Sequence, residues 1–526
     1  MSVALSAAML ATSVPTGVFA AAPEVQTSQE KAADENELKL WYDEKAPDSY
    51  EGWYRRALPL GNSGIGASVF GGITEERIQL NEKSLWSGGP SSSRNYNGGN
   101  IETSGGVKMS DIVTQIQQAF ANGEVDNGSN NNTIKNLCNK LVGLSDDAGT
   151  NGYGYYLSYG NMYLDFKGIT ESYVSNYKRA LDLHTAVASV EYDYNGTHYV
   201  RENFVSYPDN VLVTRLTATG GSGKLNFDVK VNPDDKKGNA ANNPGASSYQ
   251  RDWNTKVNGG EITVAGALKD NQMKFNSQTK VIAADGTTTD GTDKVTVADA
   301  TSVTIITSIA TDYKDEYPKY RTGESADVLN TRVGSYVSEA AAKDYDTLKA
   351  DHVADYQNIF ERVDLDLGQI PSDKTTDELL SAYKAGTATD AERRYLEVML
   401  FQYGRYLTIE SSRETPEDDP YRETLPSNLQ GIWSGANNSP WHSDYHMNVN
   451  LQMNYWPTYV TNMAECAEPL IDYVDALRAP GRVTAKIYAG VESKDGEENG
   501  FMAHTQNNPF GWTCPGWSFS WGWSPA

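Results

Sequence analysis

The densest concentration of chemically useful side chains lies in LPSNLQGIWSGANNSPWHSDYHMNVNLQMNYWP, residues 425–457. Within it, His446, Asn448 and Asn450 stand at every second position. In an extended segment, positions i, i+2 and i+4 face one side, so this spacing predicts one polar wall of a pocket. Amides donate and accept hydrogen bonds and can orient a water or a hydroxyl. They do not titrate near neutral pH, so a general base has to come from a carboxylate. Asp444 and Glu465 flank the segment and Glu82 lies in QLNEKSLW. Each is read first as a structural hydrogen-bond partner, and Asp444 and Glu465 as the first carboxylates to mutate in an active chain. Other chemistries fall away. His442 and His446 are four apart, but the Glu of a helical metal motif and a third His are missing. No Gly-x-Ser-x-Gly elbow and no Gly-x-x-x-x-Gly-Lys phosphate loop occurs. The Gly-rich stretch 60–66 runs into strand-like residues instead of a helix, which excludes a dinucleotide loop. No metal and no cofactor is expected.

Aromatic residues concentrate in the same region. Of 11 Trp, those at 433, 441, 456, 512, 517, 521 and 523 follow residue 430, together with His442, His446 and His504. Aromatic rings stack on the C–H faces of sugars, and pockets for small polar ligands set few polar groups among such rings. Trp441, His504 and Trp521 are therefore candidate sugar contacts alongside His446. The competing reading is a Trp-rich helical core.

The elements that must position these residues fall into two kinds. From Leu38 to Thr311, short alternating runs such as GKLNFDVKVNP (223–233) and GEITVAGAL (260–268) are separated by Asn-Gly, Asp-Gly and Gly-Gly pairs. This predicts a large N-terminal β-sandwich over 38–311. A helical insertion is expected over 110–142, where Ile112, Ile116, Phe120 and Ile134, Leu137, Leu141 keep helical spacing. Residues 312–385 read as a helical linker, with Tyr345, Leu348, His352, Tyr356, Ile359 and Val363 at steps of three and four. A strand-like exit, VDLDLG, covers 363–368. Residues 386–526 read as a helical domain, with an amphipathic helix over 391–411 and another over 454–477 that carries Pro457 near its start.

Composition narrows the partners. The chain has 526 residues, with 44 Lys+Arg against 69 Asp+Glu and a net charge of −25. That balance argues against nucleic acid and anionic membrane surfaces, which need a basic face. Three scattered cysteines make neither a disulfide framework nor a zinc cluster. Residues 1–22 read as a signal peptide ending in Val18-Phe19-Ala20, and 23–37 as a flexible N-terminus, so a secreted or cell-surface protein with no later membrane span is expected.

The longer motifs resemble one family. Trp41-Tyr42 with ALPLGNSGIGASVFGGITEERIQLNEKSLWSGGP (57–90) is similar to the N-terminal pattern of glycoside hydrolase family 95. FQYGRYLTIESSR (401–413), NLQGIWS (428–434) and HMNVNLQMNYWP (446–457) resemble its catalytic-domain motifs, in the same order. The resemblance implies an exo-acting inverting α-L-fucosidase removing terminal α-1,2-linked L-fucose from oligosaccharides or glycoproteins. It implies a β-sandwich, a helical linker and an (α/α)6 barrel. Asn448 and Asn450 match the amide pair that helps an aspartate activate water, and His446 a sugar-contacting position. The family's general acid and base have no matching positions here. The aromatic end WTCPGWSFSWGWSPA, and the few residues left for twelve helices, make a partial barrel and an inactive fragment the expectation. Two alternatives stay open, an α-L-galactosidase of the same family and a non-catalytic glycan-binding protein. A phosphorylase on a similar barrel is discounted, because residues 425–457 hold no Lys or Arg.

Overall fold

The computed structural model describes residues 38–516 apart from 93–94, 127–131, 146–150, 234–250, 420, 423–424, 438 and 493–499. The expected signal peptide, the flexible N-terminus and Trp521 lie outside the described residues.

Two antiparallel sheets form the N-terminal part. The nine-stranded sheet runs, edge to edge, through Lys39–Tyr42, Ser175–Asp182, Val187–Tyr194, Thr197–Ser206, Val211–Thr219, Ser302–Thr311, Lys274–Ala283, Glu261–Leu268 and Arg251–Asn258. The seven-stranded sheet runs through Thr287–Asp290, Lys294–Ala300, Leu225–Asn232, Gly160–Phe166, Glu75–Glu82, Ile65–Val69 and Leu58–Gly61. Strand period two puts alternate side chains inside. Leu181, Val190, Leu216, Val264 and Ile305 of the first sheet meet Leu80, Leu164, Val229 and Val297 of the second in one core. The Gly-rich stretch at 60–66 is a hairpin between two strands, pairing Gly61 with Gly66.

The helices follow their caps and periodicity. Met109–Ala121 and Thr133–Cys138 form the insertion, which buries Ile112 and Ile134. Phe120, expected inside, is exposed, and Leu141 is buried beyond the helix end. Tyr345–Phe360 buries Leu348, His352, Tyr356 and Ile359, as its spacing required. Thr375 with Glu378, and Thr389 with Glu392, form capping boxes that start Thr376–Ala385 and Asp390–Ser411. Two expectations fail. Residues 363–368 are not a strand and belong to no sheet; the Val363 carbonyl accepts from the side chains of Gln402 at 2.9 Å and Arg405 at 3.2 Å instead of from a neighbouring strand. The single helix over 454–477 is instead Asn450–Val460, a short 3-10 turn and Glu468–Ala476. Asn462 is left-handed at φ 57°, which stops the first helix, and Pro469 opens the second.

The sheets and helices share their core. Tyr406, Tyr445, Tyr473 and Phe510 belong to the same apolar cluster as the sheet residues. The seam is polar and buried. Glu410 accepts from the Gly61 amide at 2.6 Å, Lys83 Nζ donates to the Ser411 carbonyl at 2.5 Å, and Trp433 Nε1 donates to Leu60 O at 2.8 Å. Gln79 and Asn81 both donate to Ser434 O. The long motif at 57–90 and the motifs at 401–434 are thus the two faces of one joint.

Glu82 sits at this joint, accepting from the Ser84 amide and hydroxyl. Burial pushes its carboxyl from 4.5 up to about 7 against those hydrogen bonds. The unfolded chain ionises this group near pH 4.5 while the folded one resists until about 7. Stability from the neutral form is therefore complete below pH 4.5 and lost as the pH rises through 7. Glu82→Gln removes the dependence. Denaturant unfolding from pH 4.5 to 8 should move the difference between wild type and variant by about 3 kcal/mol in favour of the variant. A pH-independent difference contradicts this.

Candidate active site

Residues 503–516 set up the site from behind. They contain no helix or strand, yet all are buried. Buried backbone must find partners. The Tyr445 amide donates to Asn507 O at 2.9 Å and the Met447 amide to Thr505 O at 2.7 Å. Asn508 ties this strap to the sheets. Its Nδ2 donates to Tyr153 O at 2.7 Å, and its Oδ1 accepts from the Phe510 and Trp512 amides at 2.9 and 3.1 Å. Gly89, Gly98 and Gly99 press against the strap, all at positive φ. A Cβ on Gly89 would lie 2.8 Å from the Phe510 ring, and one on Gly99 would overlap Trp512 and Cys514.

Held this way, His446 is 7% exposed. Its Nδ1 lies 2.8 Å from Asp444 Oδ1. Asp444 is fully buried, and its Oδ2 accepts from the Tyr153 hydroxyl at 2.7 Å. Burial raises its carboxyl, while His446 and Tyr153 oppose that rise. Just before it, Trp441, His442 and Ser443 are all left-handed, at φ 49°, 60° and 57°. Such a conformation costs about 1–2 kcal/mol per residue. The turn is held by the Tyr156 amide donating to His442 O at 3.1 Å and by the His442 ring edge-on to Tyr155, centroids 4.1 Å apart. Trp441 is lifted out to 61% exposure.

The expected polar wall is corrected. His446, Asn448 and Asn450 do not share an extended face. The strap catches the backbone only at 445 and 447, and the chain then turns into the helix that begins at Asn450. His446 is buried, whereas Asn448 and Asn450 are exposed at the head of that helix. His504 is also corrected. It is fully buried, with Nδ1 donating to Thr513 O at 2.8 Å, and burial lowers its pKa so the ring is neutral. Its place is inside the strap. Glu465 pairs with Arg362 at 2.7 Å, which lowers its carboxyl despite burial. A cavity of about 300 Å³ opens beside Asn454, lined by Ser427, Asn428, Gln430 and Trp433. A larger cleft of about 1060 Å³ lies between Tyr207–Asn210 and the helix Ala326–Ala341, and shares no lining residue with 441–454.

Sequence reasoning missed Tyr153 and Asn508. The signal for Asn508 was the pair Asn507-Asn508 before Pro509, a turn former. Tyr153 had no signal, because its role depends on a contact nearly three hundred residues away.

Comparison with known proteins identifies the class. Residues 344–526 match the Glycosyl hydrolase family 95 catalytic domain, and residues 40–316 match the Glycosyl hydrolase family 65, N-terminal domain. Both are domains of glycosyl hydrolases. "Probable alpha-fucosidase A" of Aspergillus niger is 32% identical over 487 residues, covering 90% of this chain and 54% of that protein. "Alpha-L-fucosidase 2" of Arabidopsis thaliana is 29% identical over 472 residues, covering 87% and 51%. Among solved structures, a human-microbiome protein assigned as a kojibiose phosphorylase aligns over 87% of this chain and 51% of its own, at 10% identity and a TM-score of 0.48. Residues 344–526 are those of a glycosyl hydrolase family 95 catalytic domain. The chain spans about half the length of the curated relatives it matches.

Asn508→Ala should strip partners from two buried amides. The expected loss is about 2–4 kcal/mol in urea unfolding. A loss under about 0.5 kcal/mol would show that the strap is not held by this side chain.

Proposed function

We propose that the protein is an exo-acting, inverting α-L-fucosidase that hydrolyses terminal α-1,2-linked L-fucose from glycans. The observation that carries this reading is the exposed pair Asn448 and Asn450 at a helix head beside the pinned His446, in a chain whose relatives are named as alpha-fucosidases. In this reading, the two amides orient the attacking water, His446 contacts the sugar and Trp441 offers it an aromatic face. Inversion also needs a carboxylic acid on the leaving oxygen and a base on the opposite face, about 6.5–9.5 Å apart. In the same reading residues 386–526 supply the N-terminal part of an (α/α)6 barrel, and the apolar run at 1–22 is a signal for export.

A second reading, a glycan-binding protein without catalysis, is favoured by one observation. Both oxygens of Asp444 are engaged and Glu465 is paired with Arg362, so neither is set to activate water.

Proton NMR of 2′-fucosyllactose tests the proposal. The substrate is incubated with this chain and with the same chain carried through to the stop codon of its gene. β-Fucose released first by either supports the proposal, and Asn448→Ala should then lower kcat at least about 100-fold. α-Fucose released first overturns inversion. No fucose from either moves the weight to L-galactosides or to binding without catalysis.

A further inference from the structure

We infer that Asp444 is a positioning residue of this site, which fixes the ring plane and tautomer of His446 and is itself fixed by Tyr153 of the β-domain. The inference rests on the reading of His446 as a sugar contact.

Asp444 makes two side-chain bonds of good length, one per oxygen, to His446 Nδ1 at 2.8 Å and to the Tyr153 hydroxyl at 2.7 Å. A carboxylate only accepts, so Nδ1 of His446 must carry the proton. In the neutral ring Nε2 then holds the lone pair and accepts from a sugar hydroxyl. The other tautomer would present an N–H there instead. The residue that chooses between them is Asp444, as carboxylates behind metal-bound histidines also do.

Other roles for Asp444 fit less well. It is fully buried, and His446 is its ion-pair partner among the described residues, with no Lys or Arg bridged to it. A buried carboxylate without a fixed cation is expensive, and the two groups that offset that cost here are the His446 ring and the Tyr153 hydroxyl. No group of three or more metal-ligating side chains lies among the described residues.

Tyr153 is unusually well fixed for its part. Its backbone carbonyl accepts from Asn508, its hydroxyl also reaches Asn507 O at 3.3 Å, and its ring stands edge-on to Trp512, centroids 5.0 Å apart. The backbone on either side of Asp444 is equally constrained. Its amide donates to Trp441 O at 3.0 Å across the left-handed turn, and Tyr445 is pinned to Asn507. The orientation of His446 is thus set by the β-domain, the strap and the strained turn together.

The test is nitrogen NMR of protein labelled at histidine, with L-fucose titrated into the same samples. Wild type is expected to show His446 protonated at Nδ1 and to bind L-fucose. In Asp444→Asn the carboxamide oxygen faces the Tyr153 hydroxyl and its NH2 faces the ring, so the proton moves to Nε2. L-fucose affinity should fall about tenfold or more. Tyr153→Phe keeps the proton on Nδ1 and weakens L-fucose about threefold, and it serves if Asp444→Asn does not fold. Wild-type His446 protonated at Nε2 overturns the positioning role. So does an Asp444→Asn variant with an unchanged tautomer, or with a moved proton and unchanged affinity. Wild type with the proton on Nδ1 but no affinity for L-fucose overturns instead the fucosidase reading on which the role rests.

Discussion

A buried loop has to satisfy its own backbone, and residues 503–516 are such a loop. With no helix or strand of their own, they borrow partners from both sides. Amides of 445 and 447 bond to the strap, and Asn508 joins its turn to the β-domain through Tyr153. Gly89 and Gly99 come close enough to cover its aromatic rings because they have no Cβ. Without this arrangement, neither His446 nor Tyr153 has a fixed place.

The same economy applies along the seam between sheets and helices. The hydrogen bonds that Glu410, Lys83, Gln79 and Trp433 make across it all end on backbone. A seam built on backbone contacts specifies geometry more than charge. That suits a joint whose product is the placing of a turn at 441–443 in a conformation three L-residues rarely share. Left-handed non-glycine residues occur singly elsewhere, but three in succession stand where Trp441 is presented and the chain leads into Asp444, which is where a functional site would be expected to store strain.

Local periodicity was legible in the sequence, and contact was not. The helix at 345–360 and the strands could be read because one buried face repeats every three to four or every two residues. The 446–450 alternation looked like a strand for the same reason, yet a strand needs a partner at each step and the strap offers partners only at 445 and 447. Trp433 and Trp512 are core while Trp441 and Trp456 are exposed, a division that composition cannot make. The long motif at 57–90 was recognisable as a family resemblance. Its physical meaning, a joint to 401–434, required the fold.

We propose that His446, held by Asp444, stands with Asn448 and Asn450 at a site for L-fucose. A crystal structure of the protein soaked with L-fucose tests it most directly. The sugar is expected against His446 Nε2, with Asn448 or Asn450 within hydrogen-bond reach of its anomeric side. Sugar bound elsewhere with this site empty, or His446 turned away from Asp444, would contradict it.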